Sequence, residues 1–156
     1  MSHSNSDTHT STPDFRAAEA HIARRGGRFT AIRRSIYQSL LDSDRPLGAY
    51  ELLATIGTVG AQRPPTVYRA LDWLIEQGVA AKLASSSKYV AIPPGSDAEA
   101  LAFLICDTCG STTAIPAAAP AAELASRAHA AGFTRVSPVI ELVGQCGHHA
   151  EAGAAA

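Results

Sequence analysis

The sequence predicts an α+β fold made of two small modules joined by a hinge. Before position 93, several segments have the apolar spacing of helices, and a pair of short β-prone runs follows them. The stretch Pro93-Pro94-Gly95-Ser96-Asp97 has the composition of a hinge. Beyond it, β-prone segments and one Ala-rich helical segment surround two Cys-x-x pairs. A chain of 156 residues is long enough for both modules.

The first two helices are predicted from their ends and their spacing. Residues 1–14 are expected to form a disordered arm, because they are polar and lack the apolar run of a secretory signal. The segment Phe15 to Arg25 is predicted to be helical and to end at Gly26-Gly27, and Thr30 can cap a second helix. The apolar stripe of this second helix repeats every four residues: Ile32, Ile36 and Leu40.

A third and a fourth helix follow the break at Pro46 and Gly48. The third helix is short, and its expected core face is Leu52, Leu53 and Ile56. The fourth is predicted to open at Pro64-Pro65-Thr66, since proline is tolerated in a first helical turn. Its apolar positions recur at helical spacing: Val67, Ala70, Leu71, Leu74 and Ile75.

A β-hairpin is predicted directly after the fourth helix. Its strands are Val79 to Leu83 and Lys88 to Ile92, around a turn at Ala84 to Ser87. Helices followed by a two-stranded ribbon give the order of a winged helix-turn-helix, which we assign to residues 15–92. In that fold the last helix enters the major groove of DNA and the ribbon, or wing, touches the backbone.

The second module is predicted to be a small α/β unit over residues 99–150, after a hinge at 93–98 and before a flexible tail at 151–156. Its expected elements are strands at Leu101 to Ile105 and Thr112 to Ile115, a helix at Pro120 to Ala131, and a β-prone stretch at Phe133 to Val143. The apolar core of this module is thin for its size. Such small domains often need a metal or a second copy to hold together.

The cysteines predict a structural zinc site. The pairs Cys106-x-x-Cys109 and Cys146-x-x-His149 have the spacing of two metal knuckles, and thiolate and imidazole ligands suit tetrahedral Zn²⁺. The neighbouring His148 is the alternative fourth ligand. A redox pair and three inert cysteines are the other interpretations, although a redox Cys-x-x-Cys usually opens a helix and a strand is expected here.

Charge and composition indicate the kind of partner and the cell compartment. Residues 1–92 hold 11 Lys and Arg against 8 Asp and Glu, whereas residues 93–156 hold 2 against 6. A basic first half favours a polyanionic partner. No apolar run is long enough to span a membrane, and reduced cysteines in a metal knuckle indicate the cytoplasm.

Candidate DNA contacts lie on the polar face of the fourth helix and nearby. Arg69 is the best candidate for reading a base, because its guanidinium fits the guanine edge, and Thr66 is placed as a cap beside it. The other candidates are Tyr50 and Tyr68, for a groove edge or phosphate, and Lys82 and Lys88, for phosphates of the backbone. Two alternatives stay open: Arg69 pairing with Asp72, and Tyr50 as a half-buried core residue.

Two segments of the sequence resemble a known family. Residues 63–74, RPPTVYRALDWL, resemble the recognition helix of the ferric-uptake-regulator (Fur) superfamily, and residues 48–53, GAYELL, the helix before it. Together with residues 103–110, FLICDTCG, the order is most similar to the zinc-uptake-regulator (Zur) branch. The resemblance runs from about Arg24 to His149.

The resemblance implies a homodimer that represses metal-uptake genes by binding palindromic operators in double-stranded DNA. It also implies that Tyr50 and Arg69 read bases and that His149 stands where a fourth Cys is usual. Regulators of this kind have a second, sensing metal site near the hinge. Here Ile92, Glu99 and Ala114 stand at its expected positions, so the site is degenerate unless residues such as His21, Asp97 or His148 rebuild it.

The leading hypothesis from the sequence is a sequence-specific DNA-binding regulator. Its alternatives are a regulator that binds DNA without a regulatory metal, a zinc-buffering protein and an enzyme. The sequence offers neither a nucleophile with an acid/base partner nor an open metal site, so we expect no enzymatic activity and no small-molecule substrate.

Overall fold

In the part of the chain that the structure describes, the first module consists of four helices and a two-stranded antiparallel ribbon. The computed structural model of the chain describes residues 13–56 and 63–150, except for the side chains of 149 and 150. The elements of this module are α1 (Phe15–Arg24), α2 (Ala31–Leu41), α3 (Ala49–Ile56), α4 (Pro64–Glu76), β1 (Ala80–Lys82) and β2 (Tyr89–Ala91). Ala81 pairs with Val90 in the ribbon, which with its turn at 83–88 is called the wing below.

The helix starts follow from local chemistry. The carboxylate of Asp14 accepts hydrogen bonds from the N–H groups of Arg16 and Ala17, so this residue caps α1 rather than belonging to a loose arm. The rest of the predicted arm, 1–12, and the predicted tail, 151–156, lie outside the described residues. Thr30 caps α2 as expected, with its hydroxyl accepting from the Arg33 N–H. Pro64 opens α4 as predicted, but Arg63 is the N-cap. Thr66 lies within the first turn and does not cap the helix.

One apolar core joins the four helices to the ribbon. Its residues come from the stripes that helical spacing predicts, and helices and strands bury them together because each element is apolar on one side only. An aromatic group extends this core, with Phe29 stacked on Phe15 and on Tyr37. The fully buried side chains include Ile22, Ile36, Tyr37, Leu52, Val67, Leu71 and Leu74.

The second module is a three-stranded sheet with one long helix. Its elements are β3 (Leu101–Cys106), β4 (Thr112–Pro116), α5 (Ala118–Ala130), β5 (Ile140–Gly144) and the short α6 (Gly147–Ala150). The strand order is β4-β3-β5, in which β4 is antiparallel and β5 parallel to β3. Only the end of the predicted β-prone stretch 133–143 is a strand. Arg135 has a positive φ of 55°, and Pro138 lacks the N–H that a ladder needs.

The two modules meet at a second apolar cluster, called the junction cluster below. It consists of buried residues from the wing side, Ala81, Leu83 and Ile92, and from β3, Leu101 and Phe103. Partly buried residues packed against it include Val90, Ala98, Ile105 and Ala114. Within the part of the chain that the structure describes, no helix is long and apolar enough to cross a membrane.

Candidate metal centre and nucleic-acid interface

The three cysteines converge at one end of the sheet. Cys106 ends β3, Cys109 lies in the turn before β4, and Cys146 follows β5. Their sulfur atoms all lie within 4.8 Å of one another. The Cys109 and Cys146 sulfurs are 3.8 Å apart. Two thiolates on one tetrahedral zinc, each about 2.3 Å from the metal, are separated by roughly the same distance. We call these three residues the thiol cluster, and its geometry fits zinc.

Backbone N–H donors stabilise the thiolate form of Cys106, which is the form that binds a cation. The pKa of the buried Cys106 thiol is lowered to about 6, first because the Cys109 N–H donates to its sulfur and then because the Cys146 N–H does, at 3.4 Å. Burial raises the pKa of the Cys146 thiol, and its hydrogen bonds with the other two sulfurs act in the same direction. A thiolate is the form that ligates a metal, and zinc would supply the charge that keeps all three ionised.

The fourth ligand falls at the edge of the described residues. His149 lies in α6, but its side chain lies outside what the structure describes. His148 lines the same cleft as Cys109 and Cys146, but it is not part of the thiol cluster. His149 therefore stays the predicted fourth ligand, as its Cys-x-x-His spacing indicates.

The strand-turn-strand setting disfavours a redox role. Cys106 ends one strand, and the turn through Gly110 leads into β4 rather than into a helix. No disulfide joins the three cysteines. The lowered pKa of the Cys106 thiol and the convergence of the three sulfurs also disfavour the interpretation that the cysteines are inert, buried residues.

Two of the three positions expected to sense a second metal, Ile92 and Ala114, lie in an apolar environment. Ile92 is a buried member of the junction cluster, and Ala114 packs against it. The Glu99 carboxylate is exposed and accepts a hydrogen bond from the Ser137 hydroxyl. His21 bonds the Gln77 carbonyl, and Asp97 caps a short 3-10 turn. Across the described residues, no second group of three His, Cys, Asp or Glu side chains lies close enough to share a metal.

The proposed DNA-contacting aromatics lie together. Tyr50 at the start of α3 and Tyr68 in α4 line one shallow crevice, together with Pro64. Tyr50 is 71% exposed, which excludes the half-buried core position considered above. Tyr68 is 41% exposed. The structure thus presents two exposed tyrosine side chains beside one crevice.

Arg69 follows Tyr68 on α4. It is exposed, and within the described residues it makes no ion pair with Asp72. Thr66 is half-buried one turn earlier, and its N–H donates to the Arg63 carbonyl. One turn further along α4 lies Trp73, and the Arg33 guanidinium of α2 stacks 3.9 Å above its ring. This cation was not among the residues predicted to contact DNA.

The two wing lysines have different surroundings. The Lys82 amino group lies 5.8 Å from the centre of the Tyr89 ring and is exposed. The Lys88 amino group lies 3.6 Å from a Glu51 oxygen, so the Glu51 carboxylate partly neutralises its charge. Glu51 also accepts from the Gly48 N–H and from Arg45, both at 2.8 Å. The Gly48 hydrogen bond, followed by the Arg45 side chain, lowers the pKa of Glu51 to about 2.

Sequence reasoning missed Glu51 and Glu141. Glu51 has the third helical position of a capping box, but Gly48 stands where Ser or Thr is usual, so the sequence carries only half of that signal. The Glu141 carboxylate accepts from the Ala84 N–H at 2.6 Å and from the Ser85 N–H at 3.2 Å, so it grips the wing turn. No local signal predicts this contact, because it joins residues 57 positions apart.

The fold and the metal centre define a class of protein, the winged-helix proteins with a thiolate metal site. No family model matches the sequence. The zinc uptake regulation protein of Escherichia coli (strain K12) is 34% identical over 140 residues, which span 88% of this chain and 82% of that protein. The protein of the same description from Shigella flexneri matches equally.

Solved structures agree with the curated relatives. The chain is similar to holo XcZur, with a TM-score of 0.79 and 38% identity over 87% of this chain and 96% of that one. It is also similar to a zinc uptake regulator complexed with zinc and DNA, with a TM-score of 0.78 and 33% identity over 86% of this chain and 91% of that one. The chain belongs to the zinc uptake regulator (Zur) family. The resemblance found in the sequence is confirmed, and these relatives are regulators rather than enzymes.

Proposed function

We propose that the protein is a transcriptional repressor of the Zur type, which binds palindromic operators in DNA as a homodimer and controls zinc-uptake genes in response to zinc. The observation that carries the proposal is that Tyr50 and Tyr68 share one exposed crevice on a winged-helix module, with Arg69 exposed on the same helix as Tyr68. The similar regulator of known structure is complexed with zinc and DNA.

The roles of the contacting residues follow from their chemistry. Arg69 would read a purine edge, since its guanidinium forks onto guanine and no partner among the described residues occupies it. Tyr50 and Tyr68 would bond phosphate or pack on a thymine methyl group from the crevice that they share. Lys82 would neutralise a wing-side phosphate. Lys88 would do so less strongly, because it already forms an ion pair with Glu51.

Dimerisation would use the open face of the second module. Leu104 of β3 is the register partner of Leu142 of β5, and both are partly exposed. Large apolar side chains on a small sheet indicate an interaction surface. A second copy of the chain would cover them, and it would give one α4 helix per half-site of a palindrome. The further exposed apolar residues of this module are Leu124, Phe133, Val139 and Val143.

Zinc would be held by Cys106, Cys109, Cys146 and His149, at one site per protomer. Four protein ligands leave no open position for a substrate or catalytic water. The metal would contribute folding free energy to the second module, whose own core is small.

A selection from random-sequence duplexes with the purified protein would supply the operator for the test. We expect Arg69→Ala to lose about 1–3 kcal/mol of binding on that operator and less on unrelated DNA. Arg127→Ala is the matched control, because Arg127 is an exposed arginine on α5 of the second module. Fluorescence anisotropy over a salt series measures both affinity and salt slope.

Two outcomes would count against this function. Equal and small losses for Arg69→Ala on operator and random DNA would remove the base-reading role. If the zinc-loaded protein selected no sequence at all, DNA binding would be excluded and zinc buffering would remain as the function.

A further inference from the structure

Among the residues that the structure describes, the buried side chains that join the two modules offer no donor for a metal. Its five buried members, Ala81, Leu83, Ile92, Leu101 and Phe103, are all hydrocarbon side chains. Apolar groups of this kind associate by excluding water and need no ion to do so. The sensing positions Ile92 and Ala114 are part of this packed surface, and the residues present there therefore do not fit a second zinc ion.

A carboxylate fixes the wing from the other side of the junction. Partial burial alone would raise the pKa of Glu141, but hydrogen bonds from the Ser85 hydroxyl and from the N–H groups of Ala84 and Ser85 outweigh it and lower the pKa. Charge-assisted hydrogen bonds of this kind are stronger than neutral ones. Both peptide groups belong to the wing turn, so its position depends on where β5 holds Glu141.

The parallel pairing of β3 with β5 sets that position. In this register Phe103 lies opposite Glu141, and both contact the wing side of the junction. The register continues to the pair Cys106 and Gly144, after which Cys146 donates its N–H to the Cys106 sulfur. The strands that grip the wing are therefore the strands that deliver two of the three thiols.

We infer that the wing is held by an apolar junction in place of a second metal, and that metal affects its position only through the thiol cluster, by fixing β3 against β5. The inference rests on the proposed function, since the wing is the element that would meet the DNA backbone. It assigns the response to zinc to the thiol cluster alone. Coupling between the thiol cluster and the wing requires a measured change in the wing when the metal binds.

The test measures metal content and amide exchange on the protein without DNA. Native mass spectrometry is expected to find one zinc per protomer, and NMR to find slow exchange at the Ala84 and Ser85 amides. Removing the zinc with a chelator is expected to speed exchange at these two amides roughly tenfold, the size of effect that loss of a hydrogen bond to a charged group gives. Raising free zinc beyond one equivalent is expected to change nothing.

Two variants separate coupling from general unfolding. Glu141→Ala leaves the cysteines intact, so the variant is expected to keep one zinc. Its amide exchange at Ala84 and Ser85 is still expected to be roughly tenfold faster than in the wild type. Glu123→Ala is the matched control, because Glu123 is an exposed carboxylate on α5 that pairs only with Arg127 among the described residues. It is expected to leave both zinc content and wing exchange unchanged.

The outcomes decide the inference independently of DNA binding. A second zinc that slows wing exchange further would overturn it, as would unchanged exchange at Ala84 and Ser85 after zinc removal or in Glu141→Ala. If the exchange results hold while no duplex is selected, the DNA-binding function fails and the coupling between the thiol cluster and the wing stands.

Discussion

The two modules bury their apolar residues in different ways. The first module has a core of its own, in which Leu71, Leu74 and Ile36 are fully buried. The second module buries Leu101 and Phe103 mainly against the wing of the first, and it leaves Leu142 and Val143 exposed on its edge strand. The first module is thus stabilised by its own packing, whereas the second shares much of its buried apolar surface with the first.

This difference in burial predicts which module depends on zinc for its stability. A domain with a sufficient core folds without a metal, and one without it gains its folding free energy from metal binding. We therefore expect changes at the thiol cluster to act on the second module first and changes at Leu71 to act on the first. The predictions below separate the two modules, from the largest expected effect to the smallest.

Cys109→Ser is expected to have the largest effect. Losing one thiolate removes zinc, and binding free energies of structural zinc are about 10 kcal/mol or more. The sheet β4-β3-β5 should lose its slow-exchanging amides while α1 to α4 remain folded. Zinc content and residue-level hydrogen exchange measure this, and Cys109→His, which keeps a ligand, should restore part of the metal. A dimeric variant with an intact second module but no zinc would contradict the comparison.

Leu71→Ala is expected to destabilise the first module by about 2–5 kcal/mol, since it leaves a cavity in a closed core. Zinc content should stay at one per protomer, because Leu71 lies far along the chain from the thiol cluster. Chemical denaturation followed by circular dichroism gives the free energy of unfolding. The control is Leu124→Ala on α5, where the side chain is 52% exposed, and its cost in dilute monomer should stay within about 0.5 kcal/mol.

Leu142→Asp is expected to weaken the dimer about tenfold or more, because it places a charge on the apolar face where the partner would pack. The zinc content and the protomer's fold should not change. Analytical ultracentrifugation over a concentration series measures the dissociation constant. Ala54→Asp, at an exposed position on α3, is the control for adding a charge elsewhere. An unchanged dimer in Leu142→Asp would move the interface away from this face.

Acid is expected to loosen the contact between Glu51, Arg45 and Lys88. The folded pKa of Glu51 is about 2, below its ordinary 4.5, so its stabilisation is present above pH 4.5 and is lost as the pH falls towards 2. These groups are partly exposed, and solvent screening limits the effect to under about 1 kcal/mol. Thermal unfolding of wild type and Glu51→Gln should differ most above pH 4.5 and converge as the pH falls towards 2. Parallel curves at all pH values would show that the ionised carboxylate contributes nothing.

Features that depend on neighbouring residues were predictable from the sequence. The start of α4 at Pro64, the Thr30 cap and the pairing of the wing strands each follow from residues a few positions apart. Thr66 was wrong as a cap because Arg63 precedes the helix with the required extended backbone. The strand predicted from Phe133 begins only at Ile140, since β-propensity does not overcome a proline and a residue with positive φ.

The sequence by itself determined the two modules, the knuckle spacing of Cys106, Cys109 and Cys146, and the polar face that carries Tyr68 and Arg69. These features are local, and the chemistry of a few adjacent residues decides them. Only the tertiary structure decided that Ile92 and Ala114 pack in one apolar junction and that Glu141 grips the wing turn. Such contacts join strands far apart in the chain, and their register is set by hydrogen bonding and burial across the whole sheet rather than by any segment of the sequence.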